Sequence, residues 1–296
     1  MKQSNIRRFI SRVVFHFDFL FSNSLYLRLF FWSVNGYKLN VNSPVTFCEK
    51  IQWLKLNDHK PIYHRMVDKL NVKTYLAGII GEQYVIPTLA VWDKIDDIDI
   101  AQLPNKFVLK TTTGGGSHGV VICHDKSQFN IESAKLSLKN ASRINIYSKY
   151  KEWVYKDVKV RYFAEQFIED SNNNDLVDYK FYCFNGTPKF VQVIKSRNTK
   201  ETIDFYDTEW NHQEFVGLNP KAEKSGVEIE KPHNLEQMIE IAQKLSYNIP
   251  FLRVDLYNIN GKIYFGETTF YPASGFGRFA PKEYDEILGS YINLNI

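Results

Sequence analysis

Ile6, Phe9, Ile10, Val13, Val14, Phe17 and Phe21 recur at three- and four-residue spacing, which predicts a helix with one strongly apolar face and Arg8 and Arg12 off it. Thr46-Phe47-Cys48-Glu49 reads as a capping box, threonine and glutamate satisfying each other's backbone donors, and opens a helix through Trp53 and Leu54. Residues 66–76 predict a second amphipathic helix with Lys69 and Lys73 on one face, Gly78 and Gly81 near its end, and a strand-like Tyr84-Val85-Ile86-Pro87 after it. That lysine pair reads as solvated surface. A polar helix is expected around residues 130–142. Another, capped by Asn234 with Gln237 three residues on, presents Leu235, Met238, Ile241, Ala242 and Leu245 to a core.

Between these helices the period changes to two. Phe107-Val108-Leu109-Lys110 and Val120-Val121-Ile122-Cys123 predict a hairpin around a glycine-rich turn, and residues 162–170 predict an apolar strand emerging into acids. Strands at 179–184 and 189–194 flank Asn185-Gly186-Thr187-Pro188, and strands at 251–257 and 262–270 flank Asn258-Ile259-Asn260-Gly261, both strong turn signals. Helices interspersed with antiparallel hairpins place the chain in the α+β class.

Composition narrows the function classes. The 296 residues, 44% hydrophobic and 24% charged, suit a globular protein with a substantial core, and aromatics at 15% supply large packing units or stacking surfaces for sugars and bases. Cys48, Cys123 and Cys183 are scattered, so neither a disulfide framework nor a zinc site is expected and a reducing cytoplasm fits. A net charge of +4, with basic residues mostly interleaved with acids, does not point to nucleic acid. The amino end differs: residues 1–48 carry Lys2, Arg7, Arg8, Arg12, Arg28 and Lys38 against one acid, Asp18. No stretch there is long enough to span a membrane and no signal-peptide cleavage site stands out, which leaves a helix docked on the core or lying on an anionic membrane face through residues 5–21.

The candidate chemistry gathers at three places. Gly114, Gly115, Gly116, Ser117 and Gly119, between Lys110 and a strand, form a loop whose bare N–H groups can cradle phosphate oxygens, with Lys110 as a cation facing them. A dinucleotide fold would need a helix after the glycines, a protein kinase a later lysine with H-R-D and D-F-G, and a Walker loop G-K-[ST]; none is present, although an ordinary glycine-rich hairpin has the same pattern. Glu165, Gln166, Phe167, Ile168 and Glu169 could form an inter-lobe hinge that reads an adenine edge and a ribose. Arg253 and Asp255 share one side of a strand, and Glu267 and Thr269 share one side of its partner. Buried together, such carboxylates need a cation, and Mg²⁺ prefers hard oxygen ligands; a cross-strand ion pair on an exposed sheet is the alternative.

In order and spacing these segments resemble the ATP-grasp superfamily from Lys69 to Phe279. Asp68-Lys69 looks like its first ATP-binding lysine, residues 107–120 like its second lysine and phosphate-covering loop, and residues 165–169 like its adenine hinge. Arg253-x-Asp255 with Glu267-x-Thr269 is similar to the metal-bearing strands of D-alanine:D-alanine ligases, with Thr269 where the family commonly has asparagine. More closely, Thr-Phe-x-Glu-Lys-Ile-Gln-Trp-Leu-Lys at 46–55, Asp178-Tyr179-Lys180-Phe181 and Gly266-Glu267-Thr268-Thr269-Phe270 resemble the TupA-like subgroup over residues 40–290.

The resemblance implies an ATP-grasp fold: two α+β lobes gripping ATP between antiparallel sheets, behind a helical amino-terminal extension. Expected divisions are 1–45 for that extension, 46–105 for a helical pre-grasp region, 106–164 for the lid and 165–296 for the metal and substrate part. Lys69, Lys110 and Lys180 would face ATP, Asp255, Glu267 and Thr269 would hold Mg²⁺, and Arg253 with Lys110 would act in catalysis. Lys195, Arg197, Ser274 and Arg278 would meet anionic substrate. The implied activity joins a uronic-acid carboxyl of a surface glycan, free or nucleotide- or lipid-linked, to a small amine or amino acid. A sugar kinase or a non-catalytic glycan-binding protein on the same fold are the alternatives.

Overall fold

The structure is a computed structural model that describes residues 5–115, 118–170, 176–196, 200–219 and 222–294. Its helices are α1 (Asn5–His16), α2 (Asn23–Asn35), α3 (Phe47–Asn57), α4 (Ile62–Val67), α5 (Asn71–Ile80), α6 (Ile131–Ser142), α7 (Ile146–Tyr150), α8 (Leu235–Ser246) and α9 (Glu283–Ser290). The strands are β1 (Thr88–Trp92), β2 (Phe107–Thr111), β3 (Val120–Cys123), β4 (Tyr162–Gln166), β5 (Asp178–Phe184), β6 (Thr187–Lys195), β7 (Thr202–Asp207), β8 (His212–Gln213), β9 (Phe251–Ile259) and β10 (Lys262–Thr269). They form two antiparallel sheets, ordered β1-β4-β2-β3 and β10-β9-β5-β6-β7-β8.

The large sheet carries the main core. Its two long hairpins close on Asn185-Gly186 and Asn260-Gly261, and all four residues have the positive φ that a two-residue turn of this twist demands. The apolar stripe of α8 covers one face of the sheet, where Cys183 Sγ donates to Ala242 O at 3.8 Å. On the other face Phe47, at the start of α3, packs edge-to-face on Phe251 with centroids 4.9 Å apart. Phe47 is fully buried, so Phe47→Ala would cost about 3–5 kcal/mol, transfer and cavity together. The Thr46–Glu49 capping box that starts α3 forms as expected.

The small sheet has a separate core, in which Phe107, Leu109, Cys123, Tyr162 and Ala164 pack with Ala134 and Leu138 of α6. It draws β1 from before residue 106 and β4 from across residues 164 and 165, so it straddles the divisions expected from the sequence.

Local departures from the predicted elements have identifiable causes. The helix expected over 66–76 is two helices, because the Asp68 carboxylate accepts from the backbone N–H groups of Leu70 and Asn71, each at 2.9 Å, and starts α5 anew. The strand expected at 84–87 begins only at Thr88, after the proline, where Gln166 N donates to Pro87 O at 3.0 Å. Asn234 makes no side-chain cap on α8; its amide donates to Gly261 O and its oxygen accepts from Asn258, holding the β9–β10 turn instead. At the amino end α1 docks through Val14 on the main core, and α2 adds Tyr26, Leu27, Phe30 and Phe31. Among the described residues no helix is long and apolar enough to cross a membrane.

Candidate active site

The small sheet brings two of the predicted residues onto one face. Register sets Val108 opposite Glu165 and Lys110 opposite Phe163, so Lys110 and Glu165 share the face away from α6. Glu165 is buried and pairs with Lys110 through one carboxylate oxygen and with Lys73 of α5 through the other, at 2.8 Å. Burial alone would raise the Glu165 pKa; Lys110 and Lys73 outweigh it and hold the carboxyl below its ordinary value. Lys73 lies above the Phe163 ring and donates to Ile86 O at 2.8 Å, and burial pulls its own pKa down against the attraction of Glu165.

The large sheet answers with a denser group. Lys180 on β5 stands opposite Asp255 on β9, and Asp255 opposite Glu267 on β10. Arg253 grips both oxygens of Asp255 at 2.7 Å and reaches Glu267 at 3.4 Å, while Lys180 pairs with Asp255 and lies 3.7 Å from Asp178. Burial pushes the Asp255 pKa up, but Arg253 and Lys180 overcome this and keep it low. Glu267 is also held low, with Lys69 the strongest of the opposing cations.

This alignment depends on Gly266. Below it, β9 and β10 pair in simple hairpin register as far as Phe265 opposite Leu256; a bulge at Gly266 then shifts the partner of Asp255 to Glu267. Continued without the bulge, that register would put Gly266 opposite Asp255 and send Glu267 to the other face. A Cβ at position 266 would lie 3.1 Å from Asp255 O.

Lys69 joins the two sheets. It sits in the break after α4, and its backbone N–H donates to Thr112 O at 2.9 Å. Its ammonium donates to Gly114 O in the glycine loop and lies 3.5 Å from Glu267. Asp68 beside it lies 3.8 Å from Arg161, so the helix break and the lid strands are tied together.

Two carboxylates on neighbouring strands suit a hard cation that completes its shell with water and phosphate oxygens, as Mg²⁺ does at nucleotides. Asp255 and Glu267, opposite each other across the β9–β10 ladder, offer oxygen donors of the kind such an ion takes from a protein, and among the described residues no group of three His, Cys, Asp or Glu that could hold a metal forms. Asp255 and Glu267 would hold it, with Thr269, opposite Arg253, one pair further along.

A family model described as TupA-like ATPgrasp matches residues 49–293. The chain belongs to this family. No curated protein sequence matches it. Solved structures similar to this ATP-grasp chain include D-alanine-D-alanine ligase from Helicobacter pylori (14% identity, TM-score 0.41, 77% of this chain and 61% of that one). N5-carboxyaminoimidazole synthetase from Staphylococcus aureus, complexed with ADP, aligns at 14% identity and TM-score 0.45 over 78% of this chain and 53% of that one. D-cycloserine synthetase DcsG aligns at 15% and 0.43 over 78% and 70%. The chain thus spans 61% and 53% of the length of the first two.

Other predicted residues of the TupA-like chain lie outside the charged cluster. Gln166 is exposed, Phe167 and Ile168 are half-buried, and Glu169 pairs with Lys106 at 2.8 Å on the surface. Lys195 ends β6 on the face opposite Lys180, by the register of β5 and β6. Arg278 donates to Val34 O of α2, and Ser274 donates to the buried Glu152. These last two contacts bind the 272–279 segment into the body of the protein. Gly116, Ser117 and Arg197 lie outside the described residues. Gly119 has φ +79° and a Cβ there would collide with the Thr111 hydroxyl, so the loop needs glycine at its return.

Sequence reasoning missed Lys73, Gly266 and the buried Lys55. Lys73 shares a helical face with Lys69 in an unbroken helix, and only the Asp68 turn separates them. Glycine inside a strand pattern is a bulge signal, so Gly266 was findable. Lys55 of α3 donates to Ser274 O at 2.7 Å and to Tyr150 O at 2.9 Å, and burial draws its pKa down to about 7 despite Glu152 nearby.

Proposed function

We propose that this protein is an ATP-dependent carboxylate–amine ligase that joins a uronic-acid carboxyl of a bacterial surface glycan, free or carried on a nucleotide or lipid, to an amino acid or other small amine. One observation carries the reading: Lys73 and Lys110 converge on Glu165 of the small sheet, Arg253, Lys180, Asp255 and Glu267 cluster on the large one, and Lys69 reaches from Gly114 O of the glycine loop to Glu267. The surface-glycan acceptor rests on membership of the TupA-like family.

Phosphoryl transfer asks a protein for positioning and charge neutralisation more than for covalent chemistry. Lys73 and Lys110 are neutralised by Glu165 and can exchange it for phosphate oxygens, since an ammonium on a four-carbon stem reorients without backbone movement. Lys69 holds the Gly114 end of the loop down, which excludes water from the transferred group. When bound, Mg²⁺ supplies charge neutralisation between phosphates, and Asp255 and Glu267 are the residues that would hold it. Arg253, fixed by its bidentate contact with Asp255, presents a permanent cation where negative charge builds on an acyl phosphate and on its tetrahedral successor. The carboxylate oxygen attacks the terminal phosphorus and ADP leaves; the amine then attacks the acyl carbon, phosphate departs and the amine gives up a proton.

Purified protein with MgATP should release ADP only when a uronate glycan and an amine are both supplied. ADP release with glycan alone, together with a stable phosphorylated sugar, would make it a kinase.

A further inference from the structure

The amino-terminal helix solves only half of its own burial problem. Val14 is buried, Phe15 packs on Phe30 and Tyr150 with centroids 6.1 and 5.9 Å apart, and α2 anchors the pair through Tyr26, Phe30 and Phe31. The opposite side stays open: Ile6 and Phe9 are each 68% exposed, Phe19 is 76% and Leu20 66%, and Phe17 stands 6.3 Å from Phe19. Single exposed apolar residues need no explanation, but five within fifteen positions on one helix and the turn after it do.

Charge decides what covers them. Arg8 and Arg12 are exposed beside Phe9, one turn apart, and among the described residues neither has an ion-pair partner. Asp18, the one acid in residues 1–48, is buried, paired with Lys149 at 2.9 Å and Lys151 at 3.6 Å and accepting from Ser148. The open side of the helix therefore shows water apolar groups and cations, with its only acid turned inward. A second copy placed on this face by a two-fold axis would bring more arginines and no exposed acid to meet them. An anionic bilayer complements both properties, taking the aromatic and aliphatic side chains between its headgroups and pairing the guanidinium groups with lipid phosphates.

We propose that α1 and the turn through Leu20 form a docking surface for an anionic lipid bilayer, held ready by α2 and by the Asp18–Lys149 contact. This inference is independent of the amide-forming reading, because docking needs neither ATP nor the charged cluster of the two sheets. The full chain should sediment with vesicles of mixed phosphatidylglycerol and phosphatidylcholine, remain in solution with phosphatidylcholine alone, and be released by high salt.

Phe9→Ser with Phe19→Ser, and separately Arg8→Gln with Arg12→Gln, should each cut the vesicle-bound partition roughly tenfold or more while leaving the melting temperature unchanged. Absence of sedimentation with phosphatidylglycerol vesicles would overturn the proposal. So would unaltered binding by both double variants. Light scattering that shows a wild-type dimer broken by the same substitutions would assign the face to a second copy of the chain instead.

Discussion

Glu165 in the small sheet and Asp255 in the large sheet are both buried carboxylates held between two cations, but the cations reach them by different routes. The partners of Glu165 are two lysines from separate pieces of chain, Lys110 on β2 and Lys73 on α5. Those of Asp255 are Arg253, two residues away on its own strand and bidentate, and Lys180 directly across the ladder. A lysine is a point charge on a flexible stem, whereas a forked guanidinium on a central strand is fixed in direction. On the proposed function, the small-sheet side can release its cations to an incoming polyanion. On the same proposal, the large-sheet floor stays in place, with Arg253 fixed by its two contacts to Asp255. The cores agree with this division, since the small sheet has a modest hydrophobic cluster of its own and the large sheet shares the main one.

The sharpest way to break the comparison is Asp255→Asn. It removes the acid that Arg253 and Lys180 share, leaving them Glu267 at 3.4 Å and Asp178 at 3.7 Å, and should cost about 3 kcal/mol in denaturant unfolding as well as all measurable turnover. If the variant is as stable as the parent, the floor is not the rigid element described. Next, Lys73→Met and Lys110→Met should each weaken ATP binding roughly tenfold to a hundredfold by titration calorimetry, the worth of one charge-assisted hydrogen bond. Equal ATP affinity in Lys73→Met and the parent would take Lys73 out of the site and leave the role to Lys69 and Lys110.

The smallest effect is expected from pH. Glu165, Asp255 and Glu267 all have folded pKa values held below their ordinary ones, so the stability they contribute is complete above the unfolded values of about 4 and is lost as pH falls through the folded values. The melting temperature should be level with respect to these groups from pH 7 to 5 and fall below about 4, less steeply in Glu165→Gln. A fall that begins near pH 6 would point to other groups.

Local chemistry was readable where one residue type permits one geometry. The Asn-Gly turns, the Thr46–Glu49 box and the two-residue alternation of Arg253 and Asp255 all follow from short-range rules, and the structure contains each of them. Partners contributed by distant segments were harder to see. Lys73 looked like solvent-facing surface because its acid is 92 positions away. Asn234 reads as a helix cap because the Asn258 amide that claims its oxygen lies 24 positions on, in β9. The two faces of α1 share one apolar periodicity in sequence, and only packing separates the buried side from the open one.

On the proposed function, the charged cluster around Lys69, Asp255 and Glu267 activates a carboxylate by phosphorylating it. Single-turnover reaction of a uronate glycan labelled with oxygen-18 in the carboxyl, with MgATP and an amine, tests it most directly by mass spectrometry of the phosphate produced. The account expects one labelled oxygen in that phosphate; unlabelled phosphate with both labelled atoms still on the sugar would contradict it.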